Sequence, residues 1–183
     1  MRVLVVYASR LGATQGIADR IAARLHQEGL DATTCCAAKD GEPGCPATVS
    51  RDLAGFDAFV IGSAVHAGNW LDEAAAFVRA NHTILASRPV WLFSSGPLVA
   101  NPRYAEAEPR GVKEFKGALS PRDHRVFVGA LDRDAVQDGD PGFIERVAAK
   151  TLLPAGDFRD WEKIDTWAAG IAHQLAGSQT ARR

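Results

Sequence analysis

No run of apolar residues in this 183-residue chain approaches the roughly 20 that a bilayer-spanning helix requires. The first apolar segment follows Met1-Arg2 at once and is too short for the hydrophobic stretch of a secretory leader, so a cytoplasmic protein is expected. Cysteine is scarce. Cys35, Cys36 and Cys45 are odd in number and form no C-x-x-C pair. That argues against a zinc site or a disulfide framework and for reduced thiols, with a vicinal redox pair at Cys35-Cys36 as the alternative. Neither sign of charge prevails: 21 basic and 22 acidic side chains leave a formal net charge of −1, and the basic ones are dispersed. Neither nucleic acid nor an anionic membrane surface is therefore an expected partner. His26, His82, His124 and His173 show no metal-ligand spacing and are expected on helix surfaces and loops, so no metal is expected. No Ser-His-Asp or paired-carboxylate set stands out, and there is no internal repeat or low-complexity tract.

What is present is concentrated at the start. Val3-Leu4-Val5-Val6-Tyr7-Ala8 is an apolar run that reads as a strand buried on both faces. Ser9-Arg10-Leu11-Gly12-Ala13-Thr14 follows, and then a helical pattern with Ile17, Ile21 and Leu25 in one row beside Ala18 and Ala22. A strand, a hydroxyl-bearing loop and a helix in that order aim backbone N–H groups and the positive end of a helix dipole at one spot, which makes an anion site. Ser9 and Thr14 add hydroxyl donors, Arg10 adds charge, and Gly12 lets the backbone approach a ligand without a Cβ in the way. No Gly-Lys-Ser/Thr follows, and only Gly12 and Gly16 are present of a G-x-G-x-x-G pattern.

Later segments repeat the alternation of strand and helix. Gly29 ends the first helix, and Leu30–Cys36 reads as an edge strand. A Gly- and Pro-containing loop over 39–46 and a short helix over 49–53 follow. Phe56–Gly62 is the third strand, Ser63–Trp70 a loop, and Asp72–Leu85 one helix. Pro89–Ser94 is the fourth strand and Ser95-Gly96-Pro97 a turn, then come a surface loop over 101–111 and a helix over 112–119. Arg125–Leu131 is the fifth strand, Asp132–Asp140 an acidic loop, 143–153 a helix and 154–159 a connector. Asp160 caps a last helix carrying Trp161, Ile164, Trp167, Ala168, Ile171 and Leu175 on one stripe. This is one α/β domain over 1–177 with a frayed tail at 178–183, built on a parallel sheet covered on both faces. Trp91, Trp161 and Trp167 are expected in the core. Trp70 is either a ring stacked on a ligand or a hydrophobic plug.

The Ser-x-x-Gly-x-Thr loop resembles the phosphate loop of the flavodoxin superfamily. Within that superfamily the chain is similar to the menaquinone-dependent protoporphyrinogen oxidase branch, from Val3 to about Leu175. The residues that carry the resemblance are Ser9–Thr14, Val60–Trp70, Phe93-Ser94-Ser95 with Leu98-Val99-Ala100, Val128-Gly129-Ala130-Leu131 and Asp157-Phe158-Arg159-Asp160-Trp161-Glu162. It implies a flavodoxin-like three-layer sandwich with five parallel strands in the order 2-1-3-4-5 and a ligand crevice at the C-terminal strand ends. The cofactor implied is FMN. Ser9, Arg10, Leu11, Gly12, Ala13 and Thr14 would hold its phosphate. Ala64, Val65, His66, Ala67, Gly68, Asn69 and Trp70 would border one side of the ring, and Ser94, Ser95, Gly96, Pro97 and Leu98 the other. The chain departs from that branch at Leu11, where an acidic residue is usual, and at His66-Ala67, where an Arg-Tyr pair is usual. It also departs at the acidic segment after the fifth strand, which opposes peripheral membrane docking.

The expected function is that of an FMN-dependent oxidoreductase exchanging electrons with a quinone-like or other planar organic substrate, protoporphyrinogen among them. His66 is the candidate proton donor. The alternatives are a flavodoxin-type electron carrier that serves protein redox partners and a relative that binds a deazaflavin.

Overall fold

A computed structural model describes residues 1–37, 53–96, 108–131 and 156–180. In chain order these form β1 (Arg2–Ala8), α1 (Ala13–Gln27), β2 (Asp31–Cys36), a 3₁₀ turn (Leu53–Gly55), β3 (Ala58–His66), β4 (Asn69–Trp70), α2 (Asp72–Ala80), α3 (His82–Ala86) and β5 (Val90–Ser95). After these come α4 (Arg110–Leu119), β6 (Asp123–Phe127), β7 (Ala130–Leu131), β8 (Gly156–Asp157) and α5 (Trp161–Thr180). The expectations for residues 39–46, 49–52, 97–107, 132–140 and 143–153 lie outside the described residues.

Five strands run parallel in the order β2-β1-β3-β5-β6, the doubly wound order expected for the five main strands. Successive side chains point to opposite faces of a strand, and this divides the core in two. Val3, Val5, Ala58, Val60, Trp91 and Phe93 pack with Ile17, Ile21 and Leu25 of α1 and Ile164, Ala168, Ile171 and Leu175 of α5. Leu4, Val6, Phe59, Ile61 and Leu92 pack on the other face with Ala74 and Val78 of α2 and with Val112, Phe115 and Leu119 of α4. The central strands are apolar at nearly every position because helices cover both faces.

The helix ends follow from local chemistry. At the end of α1 the Gly29 N–H donates to the His26 carbonyl and the Leu30 N–H to the Leu25 carbonyl, the paired bonds of a Schellman stop. Asp160 caps α5, accepting a 3.0 Å bond from the Lys163 N–H. Two side-chain contacts lock α5 in place. Arg20 of α1 grips Asp165 at 2.6 and 2.5 Å, and the Trp167 indole N–H donates to Asp123 of β6 at 2.9 Å.

The structure differs locally from the sequence reading at five places. The third strand runs past Gly62 to His66 and turns back through Ala67-Gly68, so the expected loop is a hairpin with His66↔Asn69 and Val65↔Trp70 paired. The single expected helix over 72–85 breaks at Asn81, whose side-chain amide satisfies the Phe77 carbonyl at 2.8 Å. Beyond Phe127 the chain leaves the sheet, and Ala130-Leu131 pairs with Gly156-Asp157 instead. Helix α5 continues through Gly177 to Thr180. Cys35 is buried and disulfide-bonded, contrary to the reading of reduced thiols, while Cys36 keeps its thiol.

Close approach explains one glycine. A Cβ built at Gly62 would lie 2.0 Å from Phe93 Cζ, and that ring is fully buried between β5 and the α1/α5 layer. Gly62→Ala should therefore cost about 1–3 kcal/mol, the usual range for overpacking a tight core. Urea unfolding of the two proteins measures it, and an unchanged midpoint would mean that the ring has room to move.

Candidate functional site

Sheet register gathers three of the loops singled out from sequence. Ala8 of β1 pairs with Ser63 of β3, which pairs with Ser94 of β5, which pairs with Val126 of β6. One residue further on, Ala64 pairs with Ser95 and Ser95 with Phe127. The segment Ser9–Gly12, the β3–β4 hairpin and Ser95-Gly96 thus leave the sheet at its C-terminal edge, beside one another. Pro97 and Leu98 lie outside the described residues.

At the first of these loops Gly12 takes φ 78° as the N-cap of α1. That left-handed conformation is easy for glycine and strained for residues with a Cβ. No side chain caps the helix and its first turn holds no acidic residue. The Gly12 carbonyl accepts from the Gly16 N–H at 3.0 Å, so the helix is formed from its first turn. The N–H groups ahead of that bond have no partner within the helix, and they carry the positive end of its dipole. Ser9, Leu11 and Ala13 are half-buried, Arg10 and Gly12 exposed, and Thr14 is buried at 1 % exposure. A helix start with a glycine cap, no carboxylate in its own first turn and adjacent hydroxyls fits the phosphate end of a flavin nucleotide. Arg10 leans toward α2, with its guanidinium 4.0 Å from Glu73.

The hairpin forms the second wall. Its two-residue turn has positive φ at both positions, 50° at Ala67 and 80° at Gly68, the backbone of a type I′ turn. Ala64 and Val65 are half-buried, and His66, Ala67, Gly68 and Asn69 are exposed. Ser63 fixes the base. Its hydroxyl donates to the Ala64 carbonyl at 2.8 Å and accepts from the Leu71 N–H at 2.9 Å, which ties β3 to the start of α2.

Trp70 and Ser94 turn inward. The Trp70 ring is 4 % exposed and packs 5.4 Å from the Phe115 ring of α4. Its indole N–H donates to Ser94 Oγ at 2.8 Å, and Ser94 Oγ lies 2.9 Å from His124 Nε2. His124 Nδ1 faces Glu108 at 3.3 Å, and Glu108 is paired with Lys116. Because the indole can only donate, the Ser94 hydroxyl accepts from it and can pass its own proton toward Nε2. Nδ1 then carries the hydrogen and faces the carboxylate, which draws the imidazole toward its charged form, while burial favours the neutral one.

The sequence reading puts His124 on a helix surface or loop; it is instead a half-buried residue of β6 whose side chain is only 5 % exposed. Its signal in the sequence was position: it stands immediately before the apolar run 125–131. Burial pushes its pKa below the ordinary histidine value, and Lys116 adds to this against Glu108 and Asp123. Lys116 in turn holds Glu108 below the usual carboxylate range.

Other features lie apart. A groove of about 700 Å³ runs between β6 and α5, lined by Arg125, Thr166, Trp167 and Gly170, and shares no residue with the three loops. Among the described residues no cluster of His, Cys, Asp and Glu could hold a metal, and no helix is long and apolar enough to cross a membrane.

Comparison with known proteins agrees with this fold. The family model described as flavodoxin domain matches residues 4–151. No curated protein matches the chain in sequence. Among solved structures, a cysteine-to-serine mutant of flavodoxin from Pseudomonas aeruginosa superposes with a TM-score of 0.59 at 18 % identity, over 96 % of this chain and 99 % of that one. A WrbA-like flavodoxin from Agrobacterium tumefaciens gives 0.54 at 15 % identity, over 94 % and 98 %. Rubredoxin oxygen:oxidoreductase from Desulfovibrio gigas gives 0.63 at 15 % identity; it covers 96 % of this chain, which spans only 36 % of that protein.

The buried imidazole makes stability depend on pH. Its folded-state pKa is depressed, so above about 6.5 both folded and unfolded states are neutral there and nothing is lost. As pH falls below that value the unfolded chain takes a proton that the folded one resists, and stability declines. The drop in urea midpoint between pH 7.5 and pH 5 should be smaller in His124→Gln than in the parent. Equal drops would place the titrating group elsewhere.

Proposed function

Because this chain belongs to the flavodoxin-domain family, whose model matches residues 4–151, we propose that it binds FMN and exchanges electrons with a quinone-like or other planar organic substrate. The observation that carries this is the bare start of α1 behind Gly12, opening at the same sheet edge as the β3–β4 hairpin. Bound FMN would supply reversible electron transfer; the protein supplies the grip and the access.

In this reading the backbone N–H groups at the start of α1, with the hydroxyls of Ser9 and Thr14, donate to the phosphate, and the helix dipole stabilises its charge. Leu11 and Ala13 contribute backbone only. Arg10 would exchange its long contact with Glu73 for the phosphate, a charge-assisted bond of better geometry. The hairpin residues Ala64 to Asn69 would lie along one side of the ring, and Ser95-Gly96 with Pro97 and Leu98 along the other. Trp70 and Ser94 act one layer further in, setting the position of both walls through their shared hydrogen bond. His66, exposed beside the hairpin turn, would be the proton donor to a bound substrate.

Quinones are the general substrate class of this proposal, and protoporphyrinogen is the specific one to which the sequence resemblance points. Titrating the purified apoprotein with FMN tests the first step: flavin fluorescence should fall to a stoichiometric end point. Thr14→Ala should weaken that binding by about 1–3 kcal/mol, the scale of a lost bond to a charged group. Steady-state reduction of a quinone by the loaded protein tests the second step. No binding of FMN sinks the proposal. Binding with a persistent one-electron state and no quinone turnover makes the chain an electron carrier instead.

A further inference from the structure

The stretch Asp157-Phe158-Arg159-Asp160-Trp161 belongs to none of the three loops, yet it reaches one of them. Asp157 lies in β8, on the two-residue ladder with β7. It grips Arg159 at both ends of the guanidinium, with Nε 2.8 Å from Oδ1 and Nη2 2.7 Å from Oδ2. The Trp161 ring lies beneath, 4.4 Å from Arg159 Cζ. Held on one edge and one face, the guanidinium directs its remaining nitrogen, Nη1, at the first turn of α1, 3.4 Å from the Ala13 carbonyl. Side-chain exposure there is 18 %.

Gly16 is the other half of this contact. It occupies a helix interior, where glycine costs roughly 1 kcal/mol relative to alanine. A Cβ at Gly16 would sit 2.3 Å from Arg159 Nη1 and 3.5 Å from Cζ. The missing side chain is thus the seat of the guanidinium. Asp157 balances the charge of Arg159, so the contact contributes geometry more than field. Only a planar, multiply donating cation can satisfy Asp157, stack on Trp161 and reach Ala13 together.

We propose that Arg159 is a positioning residue for the anion site at the start of α1. It braces the turn formed by residues 12–16 against the segment that enters α5, and so favours a phosphorylated flavin over the same ring without phosphate. This deepens the FMN reading and rests on it.

The test uses the full-length protein with Arg159→Ala, Arg159→Lys and Gly16→Ala, the last of which keeps the arginine but fills its seat. Two quantities are read: amide hydrogen exchange over residues 11–16 in the apoprotein, and dissociation constants for FMN and for riboflavin. Arg159→Ala and Gly16→Ala should each speed exchange over 11–16 by about tenfold or more. Each should weaken FMN by a similar factor and leave riboflavin within about twofold of the parent. Arg159→Lys should fall between, and the double variant should be no worse than Arg159→Ala. Unchanged exchange over 11–16, or equal weakening of FMN and riboflavin, overturns the proposal. A parent protein that binds neither flavin fails the FMN reading itself, and the exchange measurement still decides whether the brace exists.

Discussion

Everything in the molecule is measured from β1. It hydrogen-bonds to β2 along one edge and β3 along the other, and side chains on both its faces are fully buried. A strand held on four sides has no freedom to slide, because a one-residue slip would carry Val3 and Val5 into the layer built for Leu4 and Val6. The point at which β1 ends is therefore fixed, and with it the place where Gly12 turns the chain into α1. The hairpin and the Ser95-Gly96 turn acquire their positions by pairing outward from that strand.

The division of labour around the site follows. Backbone groups face outward and side chains are used inward: Ser63, Trp70 and Ser94 are nearly or wholly buried and bond to the scaffold. The chain from Trp70 through Ser94 and His124 to Glu108 and Lys116 ties β4, β5, β6 and α4 together, running from the buried indole out to an exposed lysine. Its buried members, Trp70, Ser94 and His124, are tolerable in the core because they bond to one another.

Much of this was legible in the sequence where residue types repeat with a clear period. The apolar runs at Val3–Val6, Phe59–Ile61 and Val90–Phe93 gave the central strands, the stripe from Ile164 to Leu175 gave the last helix, and Asp160 its cap. The Ser-x-x-Gly-x-Thr loop was readable because strand, glycine and helix follow in an order that has few uses. The hairpin was not, since Ala67 is a residue that rarely adopts positive φ and so does not announce a type I′ turn. His124 and the inward turn of Trp70 and Ser94 depend on contacts between residues 24 and 30 positions apart, which no local pattern records. Gly16 looked like half of a failed dinucleotide fingerprint; its reason lies in Arg159, 143 positions further along the chain.

The β3–β4 arm joins a fixed base to a fixed tip: Ser63 is bonded at one end and Trp70 is plugged into the core at the other. Side chains alternate along an arm of this kind, so gaining or losing a single residue between them would swing the indole from the protein interior into water. Descendants of this chain can exchange His66, Ala67 or Asn69 for other residues, but the arm resists insertion and deletion. Diversity in the arm must accumulate by replacement at constant length.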